Sequence, residues 1–217
     1  MKKTLIGVLL LLLAFFGLAA GGGLSGVVRG LESLMRPVLN KDIINRNCGL
    51  YKEDPYFIMS IIKVESNFLR GAKSRRGAMG LMQLMPATAV EISKDLKMKG
   101  FKESSLEDPA INIQFGIYYV SKLRRELGDD DLTVLSAYNA GKKNVQDWQR
   151  ASGRRSLNER DIEFIETRNF VDDVLWNYRW LKRWQKARGK MVKVTRLENE
   201  RGSLLQSRKS EPQEFAL

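Results

Sequence analysis

Apolar residues recur along most of the chain at offsets of three and four, the spacing that puts side chains on one face of a helix. In "DPYFIMSIIKVESNF", residues 54–68, Ile58, Ile61 and Ile62 share such a face. Asp54 can cap this helix and Pro55 suits its first position. The same period predicts helices in "NKDIINRNCGL", in "ATAVEISKDLKMKG" ending at Gly100, and in "EDPAINIQFGIYYVSKLRRELG" between Asp108-Pro109 and Gly128. "DLTVLSAYNAG", "KKNVQDWQR" and "ERDIEFIETRNFVDDVLWNYRWLKRWQ" complete the set. Between them "LRGAKSRRGAMGLMQLMP" breaks the period with Gly and Arg, which predicts a structured loop holding a short helix. No run alternates with period two and no solenoid repeat is visible, so the pattern predicts an all-α body.

The ends read differently. Lys2 and Lys3 precede an uncharged apolar run from Leu5 to Ala20, followed by small residues. This is the grammar of an export segment, long enough to span a bilayer if retained and suited to signal peptidase if not. Residues 1–24 are therefore expected to be a signal peptide or a membrane anchor, and both place the body outside the cytoplasmic membrane. Residues 25–39 read as a linker and residues 40–186 as the folded domain. Residues 187–217 are polar, charged and aperiodic, which predicts a basic tail, disordered or partly helical.

The 217 residues carry a formal net charge of +12, which predicts attraction to polyanions (nucleic acid, an anionic membrane surface or anionic wall polymer) without choosing among them. No nucleic-acid-binding motif accompanies the charge, so no nucleic acid is expected. The chain has no histidine, which excludes Ser-His and Cys-His catalysis and His-ligated metal sites. The single cysteine, Cys48, excludes an internal disulfide. Acid-base chemistry must come from Asp, Glu, Lys, Arg or Tyr.

Glu65 stands out on that ground. It lies four residues after Ile61, three after Ile62 and three before Phe68, on the apolar face of its helix. A glutamate at a helix end is often solvated or capping. One held among apolar neighbours keeps its proton and can serve as a general acid.

Four segments then fall in a fixed order: "VESNF", "GAMGLMQLMP", "AYNAG" and "IEFIETRNFVDDVL". Together they resemble the soluble lytic transglycosylase family, the lysozyme-like enzymes that cut bacterial peptidoglycan, over about residues 40 to 185. The resemblance implies a lysozyme-like transglycosylase domain in which Glu65 is the single catalytic acid/base. It places Ser74 near the acetamido group of the reacting sugar and sets Gln83 and Met85 along the glycan cleft. Tyr138 would reach the catalytic group and help hold Glu65, with Asn139 beside it. Glu166 matches a second acidic position of the cleft. Phe170 stands where the family often has tyrosine. The implied reaction cleaves the MurNAc-GlcNAc bond of peptidoglycan strands and forms 1,6-anhydromuramic ends, with no metal and no cofactor. Two other readings stay open: a lysozyme-type hydrolase on the same fold, and a non-catalytic wall-binding protein.

Overall fold

The computed structural model describes residues 40–209, with side chains described for residues 40–187. The expected export segment, residues 1–24, and the linker, residues 25–39, lie outside the described residues. Among those described, no helix is long and apolar enough to cross a membrane.

Seven α-helices are described: α1 (Lys41–Tyr51), α2 (Pro55–Ser66), α3 (Pro86–Asp95), α4 (Pro109–Leu127), α5 (Asp131–Ala140), α6 (Lys142–Ser152) and α7 (Ile165–Lys209). Aspartates start three of them. Asp54 accepts from the Tyr56 N–H at 2.8 Å, Asp108 from Ala110 at 2.7 Å and Asp130 from Thr133 at 2.9 Å. Each satisfies a backbone donor that the first helical turn leaves open. Asp54 also accepts from the Tyr178 hydroxyl and the Lys182 ammonium, both at 2.9 Å, and so fastens α2 to α7.

The main core is built around α2. Phe57, Ile58, Ile61 and Ile62 are buried against Ile113, Ile117 and Val120 of α4, Val134 and Leu135 of α5, and Val171 and Val174 of α7. A smaller apolar cluster gathers Met79, Leu84, Ala89, Ile92, Leu106 and Phe115 around α3 and a 3₁₀ turn at Glu103–Glu107. Tyr119 and Tyr138 pack against both clusters.

The helical pattern is as the periodicity predicts, but several boundaries move. Residues 69–85 hold no helix; turns and two isolated antiparallel bridges, Lys73 with Met79 and Met79 with Leu84, replace it. Helix α3 stops at Asp95, short of Gly100, because Lys97 turns left-handed (φ 51°) and the Met98 N–H closes onto the Ser93 carbonyl at 2.8 Å. Helix α7 starts at Ile165 instead of Glu159. The Asp161 carboxylate accepts the Asn158 N–H at 2.7 Å and closes a 3₁₀ turn, and Ile162 then runs extended into the core. At the other end the helix continues past the expected boundary near Lys186 and through Lys209.

Candidate active site

Helix α2 delivers Glu65 in its last turn, one residue before Ser66. Asn67 (φ 49°) and Phe68 (φ 60°) then take left-handed backbone in succession. Asn tolerates this well; a buried Phe does so at a cost in strain. The reversal drives the Phe68 ring into the core directly after Glu65.

Glu65 is half-buried, and no hydrogen bond or ion pair to its carboxyl group exists among the described residues. Burial pushes its pKa up to about 8. The negative end of the α2 dipole acts in the same direction. At neutral pH this group is mostly a neutral acid.

The loop at residues 79–84, after the turn that follows Glu65, is held by side chains from three helices. The Ser66 hydroxyl at the end of α2 donates to the Leu81 carbonyl at 2.7 Å. Asn112 of α4, fully buried, donates to the Met79 carbonyl at 2.8 Å and the Leu106 carbonyl at 3.0 Å, and accepts from the Met82 N–H at 2.8 Å. The Tyr138 hydroxyl of α5 donates to the Met82 carbonyl at 2.6 Å. Gly80 has φ +77°, and a Cβ there would stand 2.1 Å from the Asn112 amide nitrogen. A Cβ on Gly116 would strike the Met82 sulfur at 2.2 Å. The glycines are thus what allow loop and α4 to approach so closely.

Tyr138 does not hydrogen-bond Glu65, contrary to the expectation that it holds the carboxyl group. Its proton is committed to the loop. It nevertheless feels the acid: burial first, then the Glu65 charge, then Tyr119, raise its pKa well above the usual phenol value. Its ring lies parallel to Phe170 at 6.4 Å, so the aromatic body at position 170 serves without a hydroxyl. Tyr138→Phe is expected to cost about 1–2 kcal/mol in denaturant unfolding, because the Met82 carbonyl loses its donor.

Two recesses open near Tyr138. One, of about 240 Å³, is lined by Gln83, Met85, Thr88, Tyr119, Tyr138 and Asn139 among others. The second, of about 650 Å³, shares Asn139 and Ala140 with the first and continues past Arg76, Phe164 and Glu166. Together they form one groove.

Gln83 borders the groove but spends its amide N–H groups on the Ala72 and Gly80 carbonyls, at 3.0 and 2.8 Å, which fix its own left-handed backbone (φ 45°). Asn139 accepts from the buried Thr167 hydroxyl at 2.8 Å, joining α5 to α7. Glu166 is exposed and pairs with Arg76 at 3.5 Å across the wider recess. Ser74 lines neither recess. Its hydroxyl accepts the Ala78 N–H at 3.0 Å and shapes the turn beside Arg75 and Arg76.

Sequence reasoning did not single out Ser66, Asn112, Tyr119 or Thr167. Asn112 left one signal, a lone amide on the apolar face of α4. Among the described residues no cluster of three or more potential metal ligands occurs.

The sequence profile of the Transglycosylase SLT domain matches residues 42–160, more than half of the chain. The soluble lytic murein transglycosylase of Escherichia coli K12 is 32% identical over 143 residues, which cover 64% of this chain and 22% of that protein. The chain thus spans about a fifth of that relative's length. The crystal structure of the 70 kDa soluble lytic transglycosylase from Escherichia coli superposes with a TM-score of 0.60 at 32% identity, covering 65% of this chain and 24% of that one. An inactive lytic transglycosylase variant from Pseudomonas aeruginosa, with glutamine in place of a glutamate, superposes with a TM-score of 0.60 at 26% identity, covering 78% and 29%.

Proposed function

Because the chain belongs to the Transglycosylase SLT domain family, we propose that it is a lytic transglycosylase that cleaves peptidoglycan strands with Glu65 as its only acid/base. The observation that carries this reading is the half-buried Glu65 carboxyl group, without a polar partner among the described residues, whose charge acts on Tyr138 in the wall of the narrower recess. The relative from Pseudomonas aeruginosa that a Glu-to-Gln change renders inactive supports it.

In the proposed reaction, protonated Glu65 donates to the oxygen linking N-acetylmuramic acid to N-acetylglucosamine. The C1–O bond breaks. The muramic sugar's own acetamido oxygen stabilises the cationic C1. Glu65, now ionised, removes the proton from the C6 hydroxyl of the same sugar, and O6 bonds to C1. The product is a 1,6-anhydro end; no water is consumed, and Glu65 finishes with its proton restored. Attack from within one sugar gains from proximity. Ordinary glycosidases place two carboxyl groups across the bond. Here the other acid of the groove, Glu166, is exposed and paired with Arg76, which suits positioning of substrate better than chemistry. Gln83, Met85, Tyr138 and Asn139 would line the glycan path, and Ser74 would act through the shape of its turn. Every proton is carried by Glu65, so the steps call for no metal or cofactor. Residues 40–186 would be the catalytic domain, working outside the cytoplasmic membrane where the substrate lies.

The test is mass spectrometry of purified glycan treated with the full-length protein. Muropeptides one water lighter than hydrolysis products are expected. Reducing ends would replace the lyase reading with a hydrolase on the same fold. Glycan that is bound but uncut would favour a wall-binding protein.

A further inference from the structure

Three of the four tryptophans stand in one row on α7. Trp176, Trp180 and Trp184, spaced by four residues, are 62%, 53% and 49% exposed, whereas Trp148 is buried at 4%. Trp is among the side chains most covered on average, so three in a row at a surface mark an interaction face. The row points away from the body. Helix α7 is attached through Val171 and Val174, through Tyr178 with its ring 5.4 Å from Phe57, and through Lys182 on Asp54.

Cations flank the row. Arg179 and Arg183 follow Trp176 and Trp180 by three residues and are exposed, as is Lys186. Between Val174 and Leu197 the sequence has eight lysines and arginines and no acidic residue. The acids of this helix stop at Asp172 and Asp173, one turn before the first Trp.

We propose that this face of α7 docks onto an anionic lipid surface, with the tryptophans at the headgroup level and the flanking cations on lipid phosphates. Trp is the aromatic residue suited to that depth, with an apolar ring and a polar N–H. A helix with Trp on one face and Lys/Arg beside it lies in a membrane interface. The row sits on a single convex helix, which suits a soft planar surface better than a shaped protein groove. The apolar run at residues 5–20, expected to be a signal or anchor, would take the same chain to a membrane. The inference is independent of the catalytic reading. It would also fix the groove in space, because Thr167 lies nine residues before Trp176, about 14 Å along the axis.

Tryptophan emission tests it with the full-length protein. The run at residues 5–20 contains no Trp, so its insertion adds nothing to the signal. Vesicles of equimolar phosphatidylcholine and phosphatidylglycerol are expected to shift emission to the blue, with quenching by brominated phosphatidylglycerol. Phosphatidylcholine alone should do neither. Replacing Trp176, Trp180 and Trp184 with Gln should abolish both changes while the Trp148 emission persists and reports an intact fold. Neutralising Arg179, Arg183 and Lys186 as Gln should lower the docked population about 100-fold. Unchanged emission with anionic vesicles overturns the proposal, as does an equal response to neutral ones. A blue shift that grows with protein concentration without lipid, or that soluble glycan produces, assigns the face to a second copy or to substrate and also overturns it.

Discussion

Replacing Glu65 with glutamine is expected to lower glycan cleavage by about two to four orders of magnitude while leaving the protein folded. Glutamine keeps the shape and loses the proton that leaves and returns. The same variant carries a second, independent signature in stability. The ordinary Glu value is 4.5 and the folded value about 8. Below pH 4.5 the group is protonated in both states and costs nothing. Between 4.5 and 8 the unfolded chain ionises it and the folded chain does not, so stability falls as pH rises, by about 1.4 kcal/mol per unit. Above 8 the loss is complete. Glutamine has no such slope. Thermal melts of both proteins at pH 5 and pH 8 should therefore show the variant gaining on the parent by a few kcal/mol at the higher pH. Equal pH slopes would mean that Glu65 is solvated, and near-normal cleavage would remove it from the chemistry. Cleavage by the parent should decline as pH passes about 8, where the acid form is lost.

Asn112→Ala is expected to cost about 4 kcal/mol, measured by the denaturant midpoint, and to remove activity with it. The truncation leaves the Met82 N–H and the Leu106 carbonyl without the amide that satisfies them, and takes one of two donors from the Met79 carbonyl, which keeps the Leu84 N–H at 3.0 Å. All three bonds are buried, so water cannot replace them without opening the core. Asn112→Asp should fare no better. It keeps an acceptor for Met82, but sets a buried carboxyl group against two carbonyl oxygens. A loss below about 1 kcal/mol would show that the loop is held by Ser66 and Tyr138 instead. The position matters to the proposed function because the loop it holds runs on into Gln83 and Met85, which line the narrower recess. One amide, invisible to substrate, sets where that loop stands.

Most of the architecture was readable because it is amphipathic. The α2 stripe of Ile58, Ile61 and Ile62 is buried as its spacing predicts. Boundaries were harder wherever a local closure competed with the period, as at Lys97 and Asp161. In the groove, Gln83, Met85, Tyr138, Asn139 and Glu166 are brought to adjoining recesses, whereas Ser74 is not. What could not be read were bonds whose partners are backbone atoms far away in sequence. Met82 is 30 residues from Asn112, and its carbonyl is 56 residues from the Tyr138 hydroxyl. A carbonyl carries no sequence letter, so the true partner of Tyr138 could not be distinguished from Glu65.

The division of the interior into a larger and a smaller apolar cluster has a mechanical consequence. Glu65 rides on α2, whose side chains belong to the larger cluster, while Met85 and Thr88 ride on the segment covered by the smaller one. A segment with less buried surface opens at lower free energy. The groove is therefore a jaw with one stiff side and one compliant side. Under the proposed function, helix α3 would be the side that yields to a bulky polymer, while the surroundings that set the proton affinity of Glu65 would stay still.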